Sequence, residues 1–198
     1  ADKEIKSYSQ DGKHRSEMLG KILSIDTYYG NTKSAVVILG STMLVGIVAG
    51  ENRVLKAGIM MTESVLFSNI ITQSVKMLAG RERPELTDNN LHFIGPNLGL
   101  DKFHSIPSGH ATTAFAISTV AAGLTDNTYL KVLYYTPAFL TSFARVYNNR
   151  HWLSDVMLGS LIGYFTGEKV LQMNGETAKT KSINLNMGLN YINLCIDF

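Results

Sequence analysis

Cysteine is almost absent from this chain of 198 residues: Cys195 stands alone, which excludes an internal disulfide framework and a cysteine-rich zinc site. Charge is scarce as well, at 17% of residues, and nearly balanced, with a formal net charge of +2. A protein that grips nucleic acid needs a basic field, so no nucleic-acid partner is expected. Hydrophobic runs are short. Ser34 to Gly50 carries no charge but has seventeen residues, where a comfortable bilayer crossing takes about 20. Mean hydropathy is only +0.05, and Glu63, Gln73, Lys131 and Glu168 fall on later helical stretches. The composition therefore favours a largely water-soluble domain, with membrane contact limited to an apolar face. No signal peptide opens the chain at Ala1, so a removed leader and a trimmed segment both stay open.

What is present is helical period. With 45% hydrophobic residues the length suffices for one domain with a sizeable core. Residues 1–18 are polar and read as an arm or a loosely docked helix, with His14 in solvent. A short helix over 17–29 ends at Gly30-Asn31, and the Ser34–Gly50 helix follows. Leu55 to Gly80 places Ile59, Met60, Val65, Leu66, Ile70, Ile71 and Val75 close to a period of 3.6, which predicts a long helix. Glu85 to Ser105 is irregular, broken by Asn89-Asn90, Gly95-Pro96 and Gly99. A structureless stretch of this length in a compact domain usually serves function, so it reads as a lid or rim, with His92 and His104 as secondary candidates for substrate contact. Ala111 to Leu124 is a small-residue helix. Tyr129 to Val146 is another, bent at Pro137. In Val156 to Met173, Gly159, Gly163 and Gly167 recur every fourth residue, which predicts a close helix contact.

These elements predict an all-α bundle over residues 1–173, followed by a linker and a β-like tail over 174–198. In the tail Ile183, Leu185, Met187, Leu189 and Tyr191 alternate with polar residues and the phase shifts near Ile192, as a bulge or turn would cause. Such a strand can pack on the bundle or pair with a second copy to make a homodimer. One or two strands cannot close a membrane barrel.

Three stretches carry chemistry. Arg145, His151 and Asp155 bring a fixed cation, an imidazole and a carboxylate into eleven residues. If the segment after Asn148-Asn149 is helical, His151 and Asp155 share a face and Asp155 holds one ring nitrogen while the other attacks. Pro107-Ser108-Gly109-His110 stands before a helix, so Ser108 is a candidate N-cap and the first-turn amides can bind an anion. Lys76 and Arg83 lie two helical turns apart if Pro84 ends their helix. Arg81, Arg150 and Trp152 fall outside this pattern; the arginines read as rim or solvent and Trp152 as packing.

Together these stretches resemble the three-part signature of the type 2 phosphatidic acid phosphatase superfamily, which also holds bacterial class A acid phosphatases and vanadium haloperoxidases. The resemblance runs from residue 76 to residue 155. It implies a helical bundle of that type and a metal-independent phosphatase with no cofactor, acting on a phosphorylated lipid or a small phosphate ester at the periplasmic or extracytoplasmic face of a bacterial membrane. It implies His151 as the nucleophile forming a phosphohistidine, Asp155 as its orienting partner and His110 as acid and then base. Lys76, Arg83, Ser108, Gly109 and Arg145 would bind the phosphate. Ala144 stands where the family usually has serine, so a hydrogen bond to the phosphate or to a motif residue would be missing. A soluble acid phosphatase, a vanadate-dependent haloperoxidase and a non-catalytic membrane scaffold are the alternatives.

Overall fold

The structure, a computed structural model, describes residues 1–24, 28–99 and 101–176, together with the backbone of 183–188 and 191–196. Seven α-helices are described: α1 (Asp2–Gln10), α2 (Glu17–Leu23), α3 (Thr32–Ala49), α4 (Asn52–Ala79), α5 (Gly109–Gly123), α6 (Thr128–Tyr147) and α7 (Leu153–Met173). Side chains that accept from first-turn amides start several of them: Ser16 from Leu19, Asn31 from Lys33, and Asn127 from Tyr129 and Leu130. Strands β1 (Ile183–Gly188) and β2 (Tyr191–Ile196) pair antiparallel, with Gly188 opposite Tyr191. A reversal between them accords with the phase shift in the sequence. Contacts of the tail side chains, and residues 25–27, lie outside the described residues; the helix expected over 17–29 ends at Leu23, and residues 28 and 29 lie in a turn.

Helix α5 is the axis. Its alanines and small polar residues let α4, α6 and α7 approach from three sides. On α7, Gly159, Gly163 and Gly167 face α5: a Cβ at Gly159 would stand 2.5 Å from the Ser108 carbonyl oxygen, and one at Gly167 would stand 2.7 Å from Thr119 Cβ. The glycine stripe thus serves close packing within the chain, and it draws the N-terminal ends of α5 and α7 together. Ala35, Leu39, Met60, Met61, Ile117, Val120, Val170 and Leu171 fill the space between α3, α4, α5 and α7 at the far end.

Helix α4 is inside out relative to a water-soluble bundle. Ser64, Ser68, Thr72 and Lys76, each four residues on, are buried; Ser64 Oγ donates to the Ala116 carbonyl and Thr72 Oγ1 to Thr112 Oγ1. Ile59, Leu66, Ile70, Ile71 and Leu78 are exposed instead. Helix α3 likewise turns Val36, Val37, Leu44, Val45, Ile47 and Val48 outward. Helices α3 and α4 are each long and apolar enough to cross a membrane, and only 17% and 28% of their most apolar windows are buried. This corrects the expectation of a largely water-soluble domain. Apolar side chains on these helices outnumber what the interior holds, and the outward belt suits association with a membrane.

Two further expectations change. Helix α4 stops at Gly80, in the left-handed conformation (φ 59°), and not at Pro84. A Cβ at Gly80 would run into the Gly95 carbonyl, so the helix can end there only on a glycine. Helix α1 is no loose arm. Asp2 accepts from Ser154 N at 3.0 Å and from Ser154 Oγ at 2.6 Å, which ties α1 to the start of α7.

Candidate active site

At the end of the bundle where α4 stops and α5 and α7 begin, a cavity of about 220 Å³ is lined by Lys76, Arg83, Gly109, His110, Arg145 and His151, with Asp101 and His104 from the loop between α4 and α5. Six of the eight residues that the sequence marked as site residues therefore face one space. Lys76 reaches it from the last turn of α4, its Nζ donating to the His104 carbonyl at 2.5 Å. Arg83 lies beyond the helix on extended chain, so the two cations converge through the turn at Gly80 and not along one helical face. Asp101 accepts from Arg83 through its carbonyl at 3.1 Å and its carboxylate at 2.8 Å.

Ser108 is the N-cap of α5, but its side chain makes no capping bond. Its amide donates to the Asp155 carbonyl at 2.9 Å, while its Oγ is fully buried with no hydrogen-bond partner among the described residues. Ser108 does not line the cavity wall itself; Gly109 and His110, the first two residues of α5, do.

His151 comes from the turn between α6 and α7. Asn148 caps α6, Asn149 takes a left-handed conformation (φ 55°), and the amides of Arg150 and His151 both donate back to the Arg145 carbonyl, at 3.0 and 3.3 Å. Asparagine tolerates that conformation better than most side chains. His151 thus precedes α7, and the expected shared helical face with Asp155 is not formed. Its Nδ1 lies 2.7 Å from the Ser105 carbonyl and 3.8 Å from Asp155 Oδ2. A carbonyl only accepts, so the proton sits on Nδ1 and the lone pair on Nε2. Burial pushes the imidazole down to about 3, leaving it neutral and nucleophilic well into the acid range.

Asp155 is fully buried on the other side of the ring. Its Oδ2 accepts from Ser105 Oγ at 2.6 Å and from the Trp152 amide at 2.9 Å; its Oδ1 accepts from Arg81 Nη1 at 2.5 Å. Ser105 therefore joins the two residues, giving His151 its carbonyl and Asp155 its hydroxyl. Arg81, expected at the rim, is only 3% exposed. Past the turn at Gly80, Arg83 lines the cavity while Arg81 lies behind it, bonded to Asp155. Arg150 does remain outside, paired with Glu85. Trp152 is buried, with its Nε1 donating to the Glu82 carbonyl.

The loop from 80 to 108 is tied down as a rim. Arg81 pairs with Phe93, Ile94 N donates to Gly80 O, and Arg83 N to Lys102 O. His104 joins the cavity wall; His92 does not, and instead meets Glu82 at 2.6 Å. Gly30, Thr32, Asn69, Gln73 and Thr113 also line the cavity and went unmarked. Asn69 and Gln73 stand seven and three residues before Lys76 on its helical face, a signal the spacing did contain. Ala144 packs against Leu23 and Tyr147 and is not among the residues that line the cavity. Among the described residues, no group of three or more His, Cys, Asp or Glu is placed to hold a metal ion.

The family model of the PAP2 superfamily matches residues 57–177. The chain belongs to the PAP2 superfamily. A lipid A 1-phosphatase of Porphyromonas gingivalis is 33% identical over 115 residues, 48% of this chain and 26% of that protein. An undecaprenyl-diphosphatase of Sulfolobus acidocaldarius is 30% identical over 114 residues, 56% of this chain and 52% of that protein. The chain thus spans from about a quarter to about half of the length of these curated relatives. Among solved structures, Aquifex aeolicus LpxE superposes with a TM-score of 0.64 at 21% identity, over 85% of this chain and 93% of that one. A transmembrane PAP2-type phosphatidylglycerolphosphate phosphatase of Bacillus subtilis gives 0.61 at 19% identity, over 90% and 87%. These two likenesses support the fold.

Proposed function

We propose that this PAP2 protein is a phosphatase that removes phosphate from a membrane lipid carrying a phosphomonoester or diphosphate, with its cavity at the extracytoplasmic face. The observation that carries this reading is the convergence of Lys76, Arg83, Arg145, His110 and His151 on one cavity of about 220 Å³. Phosphoryl transfer asks the protein mainly to position the group and neutralise its equatorial oxygens. Three cations, the Gly109 amide at the start of α5 and the Ser108 hydroxyl supply donors for that. His151 Nε2 attacks phosphorus in line, and the bond to the leaving oxygen breaks as His110 protonates it. His110 then takes a proton from water, which attacks the phosphohistidine, releases inorganic phosphate and returns His151 to its starting form. Asp155, acting through its charge and through Ser105, steadies the imidazolium. The exposed apolar belt and the lipid substrates named for the curated relatives support a lipid over a soluble ester.

The test is phosphate release from a panel of lipid phosphates, isoprenyl diphosphates and soluble esters, each with and without EDTA. Release from a lipid member, unchanged by EDTA, is expected. Activity lost in EDTA and restored by zinc or magnesium would overturn the mechanism, and halide oxidation requiring added vanadate would reassign the cavity to haloperoxidase chemistry.

A further inference from the structure

Arg81 does not serve Asp155 alone. Its Nη1 donates to Asp155 Oδ1 at 2.5 Å and to Ser154 Oγ at 2.7 Å; its Nη2 donates to Asp2 Oδ2 at 2.8 Å and to the Asn90 carbonyl at 2.6 Å; its Nε also meets Asn90, at 3.1 Å. All five N–H groups of the guanidinium are thus engaged. Arg81 and Asp2 are 3% and 10% exposed in their side chains, and Asp155 is sealed. A bonded path runs from Asp2 through Arg81, Asp155 and Ser105 to the Nδ1 of His151. Asp2 lies on α1, outside the residues 57–177 that match the family.

The charges of this cluster do not cancel. One guanidinium between two carboxylates leaves a net negative charge behind His151, opposite the cations of the cavity. With Asp155 as its sole anionic partner, Arg81 would form a neutral pair with little field left for an imidazolium. Asp2 draws part of the guanidinium's charge to itself. We infer that Asp2 is a positioning residue: by sharing Arg81 it leaves Asp155 the charge that supports His151 while the histidine carries the phosphoryl group, so the N-terminal helix is part of the working site. This rests on the phosphatase reading above.

The test uses the full chain in detergent micelles with p-nitrophenyl phosphate and a lipid phosphate as probes, comparing Asp2→Asn, Asp2→Glu, Asp155→Asn and the Asp2→Asn/Asp155→Asn double variant. Asp2→Asn is expected to lower kcat about tenfold with KM nearly unchanged, and Asp2→Glu to recover most of the loss. In the Asp155→Asn background, Asp2→Asn should have no further effect, because residues on one path couple and do not add. Equal kcat for Asp2→Asn and the unsubstituted chain, or the same fold loss in both backgrounds, would overturn the inference. Absence of phosphate release from the unsubstituted chain on either probe would instead sink the phosphatase reading and the inference with it.

Discussion

The two sides of His151 are built from opposite charges. In front, Lys76, Arg83 and Arg145 surround a cavity open to an anion; behind, Asp155, Arg81 and Asp2 form a buried cluster whose hydrogen bonds are closed among themselves and with Ser105, Trp152, Ser154 and the Asn90 carbonyl. Next to Gly109 on the cavity wall, Ser108 Oγ is buried and unpartnered among the described residues; the back is complete. A site waiting for a charged group keeps donors unfilled where that group will sit, and satisfies every group whose task is to hold position. The difference teaches which residues should tolerate change and in what measure.

Breaking the ring between the two sides should cost most. His151→Ala removes the atom that would carry the phosphoryl group and should abolish turnover on every substrate, read as phosphate release. On the front, His110→Ala should cost roughly 100- to 10,000-fold on an alkyl phosphate, while an aryl phosphate, whose phenolate leaves unaided, keeps its initial burst. Lys76→Met removes one cation from the cavity and should cost about 100- to 1,000-fold in kcat, together with weaker inhibition by vanadate. On the back, Asp155→Asn should fall lower on the scale, about 10- to 100-fold, as for carboxylates that orient a metal-bound histidine; vanadate affinity should stay close to that of the unsubstituted chain. A larger loss of vanadate affinity in Asp155→Asn than in Lys76→Met would collapse the distinction between front and back.

A separate effect is expected on stability. Burial lowers His151 from an ordinary 6.5 to about 3, so between those values the unfolded chain binds a proton that the folded one refuses. The stability gained from a neutral His151 is present above about pH 6.5 and is lost as pH falls toward 3. The thermal midpoint of the unsubstituted chain should therefore drop more steeply over that window than that of His151→Gln, and equal slopes would contradict the assignment.

The motif residues were legible because helix ends and turn residues mark themselves: Ser108 before a small-residue run, Asn148-Asn149 before His151, Gly159, Gly163 and Gly167 at a fixed interval. The back of the site was not. Arg81 shares a segment with Arg83, and nothing local in the sequence shows that past Gly80 one lines the cavity while the other is bonded to Asp155 and Asp2 behind it. Asp2 is some eighty residues from Arg81 in sequence, and no local pattern links them. Which way α4 faces was hidden for a different reason. Periodicity reports that one face is apolar and not whether that face meets the core or lipid; Ser64, Ser68 and Thr72 at four-residue spacing were the sign that the core side is the polar one.

The central claim is that His151, with its proton held on Nδ1 by Ser105, is the atom donor to phosphorus. Rapid-quench capture of phosphorylated protein during turnover of an aryl phosphate tests it most directly. The account predicts an acid-labile phosphoenzyme, mapped to His151, that accumulates in His110→Ala, where the water step lacks its base, and is absent in His151→Ala. A phenolate burst from His151→Ala, with none from His110→Ala on aryl or alkyl ester, would contradict it and exchange the roles of the two histidines.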